Sequence, residues 1–474
     1  MDQDFHFYGA FYAAKIGGQY NREDATIIAK ASNFIDFLSN EAYAGYWRLV
    51  RDTVKPENGD FDVAAKVDYP RYSFQGTLSA GLSGSKGLWA AFHFTPGNYD
   101  DPPGTPTSAE VHGASVADQL PGHTLRDVTP DSSLGIDAGV AKLLNRPQNP
   151  LSRTLIKDTV NCLQQPERLK TVLSMAAGGR ELLAEYDNED ILKRFSLLLL
   201  GARAHVIADT WAHQDWSAVN NSVNTYWDID GDLIHDQFYQ NIKYRYTDGD
   251  DWEKVHLSST YQLTNENFAA VPNATTYLGH GWMGHFPDYS FIDYYYKPCW
   301  RPKETAPIER NNRTEYAHAF LELCSMFARA NNKTFQPRDV ETHLAAAQRA
   351  ISGHCDLSNA DNCPRVFSSG LWMNEMDQLG IEKPLDPIDT KKEPDERAKL
   401  NGLIYHDDLM GTRYGTYYIH LASDLYLFQI AVDYHFQFVK HWLTRNHIGA
   451  GLFDGNWSRA YGPLPETINE FFDA

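Results

Sequence analysis

His205, Asp209 and His213 recur every fourth residue in the stretch His205-Val206-Ile207-Ala208-Asp209-Thr210-Trp211-Ala212-His213. On a helix, ~100° per residue confines three such side chains to an arc of ~80° on one face. Two imidazoles and a carboxylate converging there match the donors that bind a borderline-soft divalent cation such as zinc. The plain alternative is a set of hydrogen-bonded histidines in a polar core. The apolar run Leu197–Leu200 just upstream turns the helix inward, where buried ligands call for a compensating charge. That favours a metal.

Other chemistry-bearing residues lie far away in the chain. The loop Gly279-His280-Gly281-Trp282-Met283-Gly284-His285-Phe286-Pro287-Asp288 puts two histidines and an aspartate among glycines, which let a backbone approach an ion or a phosphate closely. Its alternative is a turn with incidental surface histidines. His93 stands between two aromatics in Phe92-His93-Phe94, just before Pro96-Gly97. Asp36 is flanked by Ile35 and Phe37, and His6 sits in Asp4-Phe5-His6-Phe7-Tyr8. His420 and Asp424 repeat the four-residue spacing, but with Tyr417, Leu421, Leu425 and Phe428 around them a structural hydrogen bond is the better reading. Asp228-Ile229-Asp230-Gly231-Asp232 is no EF-hand, because its glycine is misplaced and Tyr239 stands where a bidentate Glu belongs.

Helices must position most of these groups. We expect helices up to Ile16, from Arg22 to Leu38, from Ser152 to Gln165, from Pro166 to Ala184, and from Asn188 to about Ala218. Further helices are expected over Arg313 to Asn331, Asp339 to Ser352 and Thr412 to Thr444. Residues 56–135 are rich in Gly, Pro, Ser and Asp and read as loops with extended segments. Alternation around Tyr244 and the turn-like Thr247-Asp248-Gly249-Asp250 predict a β-hairpin insertion within 225–265. The fold class is therefore mainly α: a large helical bundle with loop-rich insertions. Residues 1–300 would form the metal-binding core, and 301–474 a C-terminal helical region packed with it.

Composition narrows the function. The 474 residues carry a net charge of −20, which disfavours strong nucleic-acid binding unless metal ions supply local positive charge. The start has no charged n-region before an apolar stretch, and no run of eighteen apolar residues predicts a membrane span. The expected location is the cytoplasm at synthesis, with signal-independent secretion still open. Five scattered cysteines do not make a disulfide framework; Cys355 and Cys363 could pair, but free thiols are the expectation.

Together, the His205-x3-Asp209-x3-His213-Gln214 helix, the Asp4–Tyr8 start, the Phe92-His93-Phe94-x-Pro96 segment and the glycine loop resemble a known pattern. They look like a bacterial uncharacterised family related to the fungal heterokaryon-incompatibility het-C proteins. More remotely they are similar to the all-helical superfamily of zinc phospholipases C and single-strand-specific zinc nucleases. The resemblance spans residues 4 to 288 and implies a phospholipase C/nuclease-like bundle holding two or three zinc ions, or other divalent ions. It implies His6 for one ion, and Asp36, His93, His205 and a bridging Asp209 for a central one. His213 with His280, His285 or Asp288 would serve another. The chain departs from the superfamily in opening with Met, where the mature relatives chelate through the amine of an N-terminal tryptophan.

Paired cations can acidify a bridging water and clamp an in-line displacement at phosphorus, with Asp36 as the expected catalytic carboxylate. The expected function is a metal-dependent phosphoric diester hydrolase of phospholipase C type, acting on a phospholipid or small phosphodiester. A single-strand nuclease is the alternative enzyme, with Trp211, Trp216 or Trp282 available to stack a base. A non-catalytic het-C-like protein with a structural metal, in a toxin or recognition role, is the rival outside the enzymes. No protein partner is implied. Neither a Gly-x-Ser-x-Gly elbow nor a His-Glu-x-x-His motif occurs.

Overall fold

Asn188 starts the helix that carries His205 and Asp209: its side chain accepts from the backbone N–H groups of Asp190 and Ile191. Glu189 and Asp190 fill the first turn, where the helix dipole favours acid. From Leu197 to Ala212 every residue is buried. A helix apolar on all sides belongs at the centre of a bundle, and other helices do surround this one.

The computed structural model describes the whole chain except residues 2–3, 38–45, 52–55, 59, 69–85, 177–185, 187, 228–242, 246–252, 255–278, 282, 284–285, 354–368, 386–408, 414–415, 450, 455–463, 466 and 474. The principal helices are α1 (Ala10–Ile16), α2 (Arg22–Phe37), α3 (Lys86–Phe92), α4 (Pro150–Gln164), α5 (Glu189–Ala212), α6 (Asn312–Ala330), α7 (Glu341–Ser352) and α8 (Asp424–Arg445). Asp4–Gly9 forms a π-helical entry into α1. Central α5 packs against α2, α4, α6 and α8, so helices from both halves of the chain enclose it. The protein is mainly α, as its periodicity predicts. No helix of the described residues is long and apolar enough to cross a membrane.

Two small sheets decorate the bundle. One has the order β2-β1-β9-β8, with β1 (Tyr46–Val50) antiparallel to β2 (Val63–Asp68) and parallel to β9 (Thr416–His420), which pairs with β8 (Leu409–Arg413). In the other, β4 (Lys243–Arg245) and β5 (Glu253–Lys254) pair as the hairpin reading requires. β6 (Asp293–Pro298) joins them to β3 (Tyr226–Trp227) and β7 (Ile308–Asn311), beyond the insertion's expected end.

The structure corrects several expectations. Thr412 and Arg413 belong to β8 and Thr416–His420 is β9, which pairs with β1 and with β8; only Asp424–Arg445 is helical. His420 and Asp424 are therefore not one turn apart on a helix, and Asp424 instead forms a bidentate ion pair with Arg194. Residues 56–135 contain short helices, Lys86–Phe92 and Ser108–His112 among them; the second has a Thr107/Glu110 capping box. Cys162, Cys299 and Cys324 are free and buried, whereas Cys355, Cys363 and the Asp228–Asp232 run lie outside the described residues.

Gly201 sets how α2 and α5 meet. A Cβ there would stand 2.3 Å from the Ile28 carbonyl oxygen and 2.7 Å from the Ala31 Cβ. The two backbones thus touch one turn before Ser32, whose carbonyl is the partner of His205. We expect Gly201→Ala to force these helices apart and destabilise the fold by about 1–3 kcal/mol, the usual cost of overpacking. The check is the midpoint of urea unfolding of metal-free protein; an unchanged midpoint would mean that the helices slide without cost.

Candidate metal centre

Helix α5 aims Asp209 into a ring of donors from four other parts of the chain. Asp209 Oδ1 lies 3.1 Å from His6 Nε2, while Oδ2 lies 3.2 Å from both His93 Nδ1 and His205 Nε2. His213 Nδ1 is 3.5 Å from Oδ2. Asp36, at the end of α2, reaches the same place: it is 3.7 Å from His6 Nε2, 3.8 Å from His205 Nε2 and 3.9 Å from His93 Nδ1. The glycine loop closes the far side, with Asp288 Oδ1 3.0 Å from His213 Nε2 and Oδ2 3.5 Å from His280 Nε2. Three ligand groups result: His6, His205 and Asp209; Asp36, His93 and His205; His213, His280 and Asp288, each with its donor atoms within 4.8 Å of one another. The sequence-predicted residues come together except His285, which lies outside the described residues.

Hydrogen bonds fix which nitrogens face inward. His205 Nδ1–H donates to the Ser32 carbonyl at 2.9 Å, and His213 Nδ1–H donates to the His93 carbonyl at 2.8 Å. A carbonyl only accepts, so each ring must carry its proton on Nδ1. The Nε2 atoms of His205 and His213 then face carboxylate oxygens of Asp209 and Asp288. Two acceptors at that range repel unless a proton or a cation lies between them. Burial holds the His205 imidazolium pKa at about 4, against the pull of Asp209, so near neutral pH a proton does not fill the gap. Burial also lowers His93, and burial together with the neighbouring His205 lowers His6. These donors fit a divalent cation.

A cation does stand at this point in the structure. The Met1 ammonium lies 2.6 Å from Asp209 Oδ1, 3.3 Å from Asp288 Oδ1 and 3.2 Å from His213 Nε2. Burial opposes its charge, but Asp209, Asp288 and Asp36 raise its pKa to about 11. Burial likewise opposes ionisation of Asp209, yet His213, this ammonium, His205 and His6 hold its carboxyl well below the usual range. Sequence reasoning set the amine aside because residue 1 is not tryptophan; an amine needs no particular side chain to arrive.

Solvent reaches the centre unevenly. The Asp36 side chain is 24% exposed, against 1% for Asp209. Phe94 stacks on His213 with ring centroids 4.8 Å apart, and its own ring leaves no room for a Cβ on Gly279, 2.2 Å from Phe94 Cζ. Gly279 also has φ +54°, so the loop needs glycine there twice over. Trp211 and Trp216 are fully buried: Trp211 Nε1 donates to Glu322 at 2.6 Å and Trp216 stacks on Tyr296. Neither is free to stack a base, and Trp282 lies outside the described residues.

The C-terminal half supplies supports that sequence reasoning missed. Tyr316 on α6 donates its hydroxyl to the Asp288 carbonyl at 2.5 Å, and Asn312 Nδ2 donates to the carbonyls of Phe286 and Tyr289. His435 on α8 donates Nε2–H to the Ala91 carbonyl at 2.8 Å, anchoring the end of α3 beside His93. Only a buried polar residue at core spacing could have signalled these roles.

A family model described as a family of unknown function, DUF6765, matches residues 1–443. The chain belongs to this family. No curated protein and no solved structure matches it. The family match spans both the ligands before residue 300 and the α6 and α8 supports after it, so the site and its scaffold fall within one family-wide unit.

Proposed function

We propose that this protein is a divalent-metal-dependent phosphoric diester hydrolase of phospholipase C type. The carrying observation is the pair of Nδ1-protonated histidines, His205 and His213, whose inner nitrogens confront carboxylates across gaps suited to a cation. His6, Asp36, His93, His205, Asp209, His213, His280 and Asp288 would hold two or three zinc or similar ions, and the resemblance adds His285. Eight converging groups exceed the four ligands of a closed structural site, which supports catalysis.

Bound ions would acidify a water and offset charge developing on a phosphodiester. The protein's own part is to bind, orient and accept a proton. Asp209 holds the centre together from beneath, buried and ionised. Asp36, the most exposed of the carboxylates, is placed to orient the attacking water and take its proton. The net charge of −20 and the burial of Trp211 and Trp216 favour a phospholipid or small phosphodiester over single-stranded nucleic acid.

The test is zinc analysis of dialysed protein alongside hydrolysis of bis(p-nitrophenyl) phosphate, for the parent and for His205→Ala. Metal content and activity should fall together in the variant. Bound metal in a parent inert towards this diester, phospholipid vesicles and single-stranded DNA would instead support a structural metal. Asp36→Asn provides a finer reading. It should keep the ions held by Asp209 and the histidines while kcat drops about 10²–10⁴-fold, the range for a lost general base. Unchanged kcat would remove Asp36 from the chemistry.

A further inference from the structure

Helix α5 ends at Ala212, six residues before the sequence suggests, and Asp215 follows in a left-handed conformation with φ +77°. An aspartate held there with its carboxylate fully buried must be paired for. Arg126 grips it twice, Nε to Oδ1 at 2.7 Å and Nη2 to Oδ2 at 2.9 Å, and Arg146 Nη1 donates to Oδ1 at 2.5 Å. A third arginine, Arg310, donates to the Gln214 carbonyl at 2.9 Å and the Trp211 carbonyl at 3.0 Å, capping the helix that ends just before His213.

The same knot reaches the His93 segment. Asp215 N–H donates to the Asn145 carbonyl, and Asn145 N–H donates to the Trp216 carbonyl, both at 2.8 Å. Asn145 also bridges to Pro96, while Gly97 N–H donates to the Leu144 carbonyl. Residues 144–146 thus tie the turn after His213 to the strand-like stretch after His93. His213 and His93 meet directly only through the Nδ1–H to carbonyl bond. The clamp is a second tie between their segments.

We infer that Asp215, held by Arg126 and Arg146, is a positioning residue that places His213 for the ion shared with His280 and Asp288. The inference rests on the metal-centre reading above. It is graded: the clamp holds the turn after His213 directly, reaches Asp209 and the His93 segment only through Asn145 and its neighbours, and makes no bond to His6, Asp36 or His205. Losing it therefore loosens the His213 ion most and the His205 side least. A residue that merely stabilised the fold would lower the unfolding midpoint without choosing between ions.

The experiment titrates zinc into metal-stripped full-length parent and Asp215→Asn protein by calorimetry, with unfolding midpoints measured in parallel. Asp215→Asn turns an acceptor oxygen into an N–H donor against a guanidinium. One zinc event should weaken about 10–100-fold, the usual effect of disturbing a ligand's support, while the others change much less. Arg126→Ala removes half of the clamp from its partly exposed side and covers the case in which Asp215→Asn does not fold. It should weaken the same event to a smaller degree. Parental affinity for every ion in the folded variants, or equal loss of all ions, overturns the inference. A parent that takes up no zinc overturns the metal-centre reading itself, and this inference with it.

Discussion

Asp209→Asn should strip the protein of more than one ion and lower phosphodiester hydrolysis by ~10³-fold or more, at least the scale of losing one electrostatic contact at a reacting centre. The reason is the number of groups that share this carboxylate. Oδ1 faces the Met1 ammonium and His6, and Oδ2 faces His93, His205 and His213. An amide offers one oxygen and one N–H₂ group that cannot ligate a cation, so it cannot serve two ions at once. Metal-free protein should also weaken, by at most about 3–5 kcal/mol, because the buried ammonium loses the nearest of its counter-charges and keeps only Asp288 and Asp36. Zinc content after dialysis, hydrolysis rate and unfolding midpoint report the three effects. Full metal content in the variant would show that Asp209 bridges nothing.

The second large effect lies away from the metal centre, at Asp433 on α8. This fully buried carboxyl accepts from Leu464 N–H at 2.7 Å and from Gln437 Nε2 at 3.3 Å. Burial outweighs these bonds and pushes its pKa from 3.8 up to about 7. The folded state therefore keeps a proton that the unfolded chain releases near pH 4. The resulting stabilisation is complete below pH 4, falls as the pH rises towards 7, and is gone above it. A shift of that size corresponds to roughly 4 kcal/mol. Asp433→Asn should raise the unfolding midpoint at pH 8.5, measured with EDTA present, and change little at pH 4. An unaltered midpoint at pH 8.5 would disprove the buried-proton account. His435, whose pKa burial lowers to about 3, works in the opposite sense. Its contribution is full above pH 6.5 and declines as the pH falls towards 3, so the variant should keep its acid-side loss and lose its alkaline one.

Much of the centre could be read from the chain because its ligands announce themselves by type and spacing. The four-residue rhythm of His205, Asp209 and His213 needs only a helix to become one face. His6, Asp36, His93, His280 and Asp288 stood out as polar residues set among aromatics or glycines. The supports did not stand out. Asp215 looks like any acid after a helix, and the two arginines that hold its carboxylate are distant in sequence. Tyr316 and Asn312 act through backbone carbonyls, which leave no trace in residue type at the receiving end. Thr412–His420 was misread because aromatic and β-branched residues fit either a buried helix or a strand, and the parallel partner at Tyr46–Val50 is hundreds of residues away.

Asp288 hangs from Tyr316 and Asn312, and the His93 segment is moored to His435. During synthesis, the histidines and aspartates of the candidate centre therefore leave the ribosome well before the struts that aim them. The pocket cannot take its working shape until the far end of α8 has emerged, so nascent fragments should be poor at capturing metal. Cutting the gene near codon 300 would yield a collection of ligands without a vise.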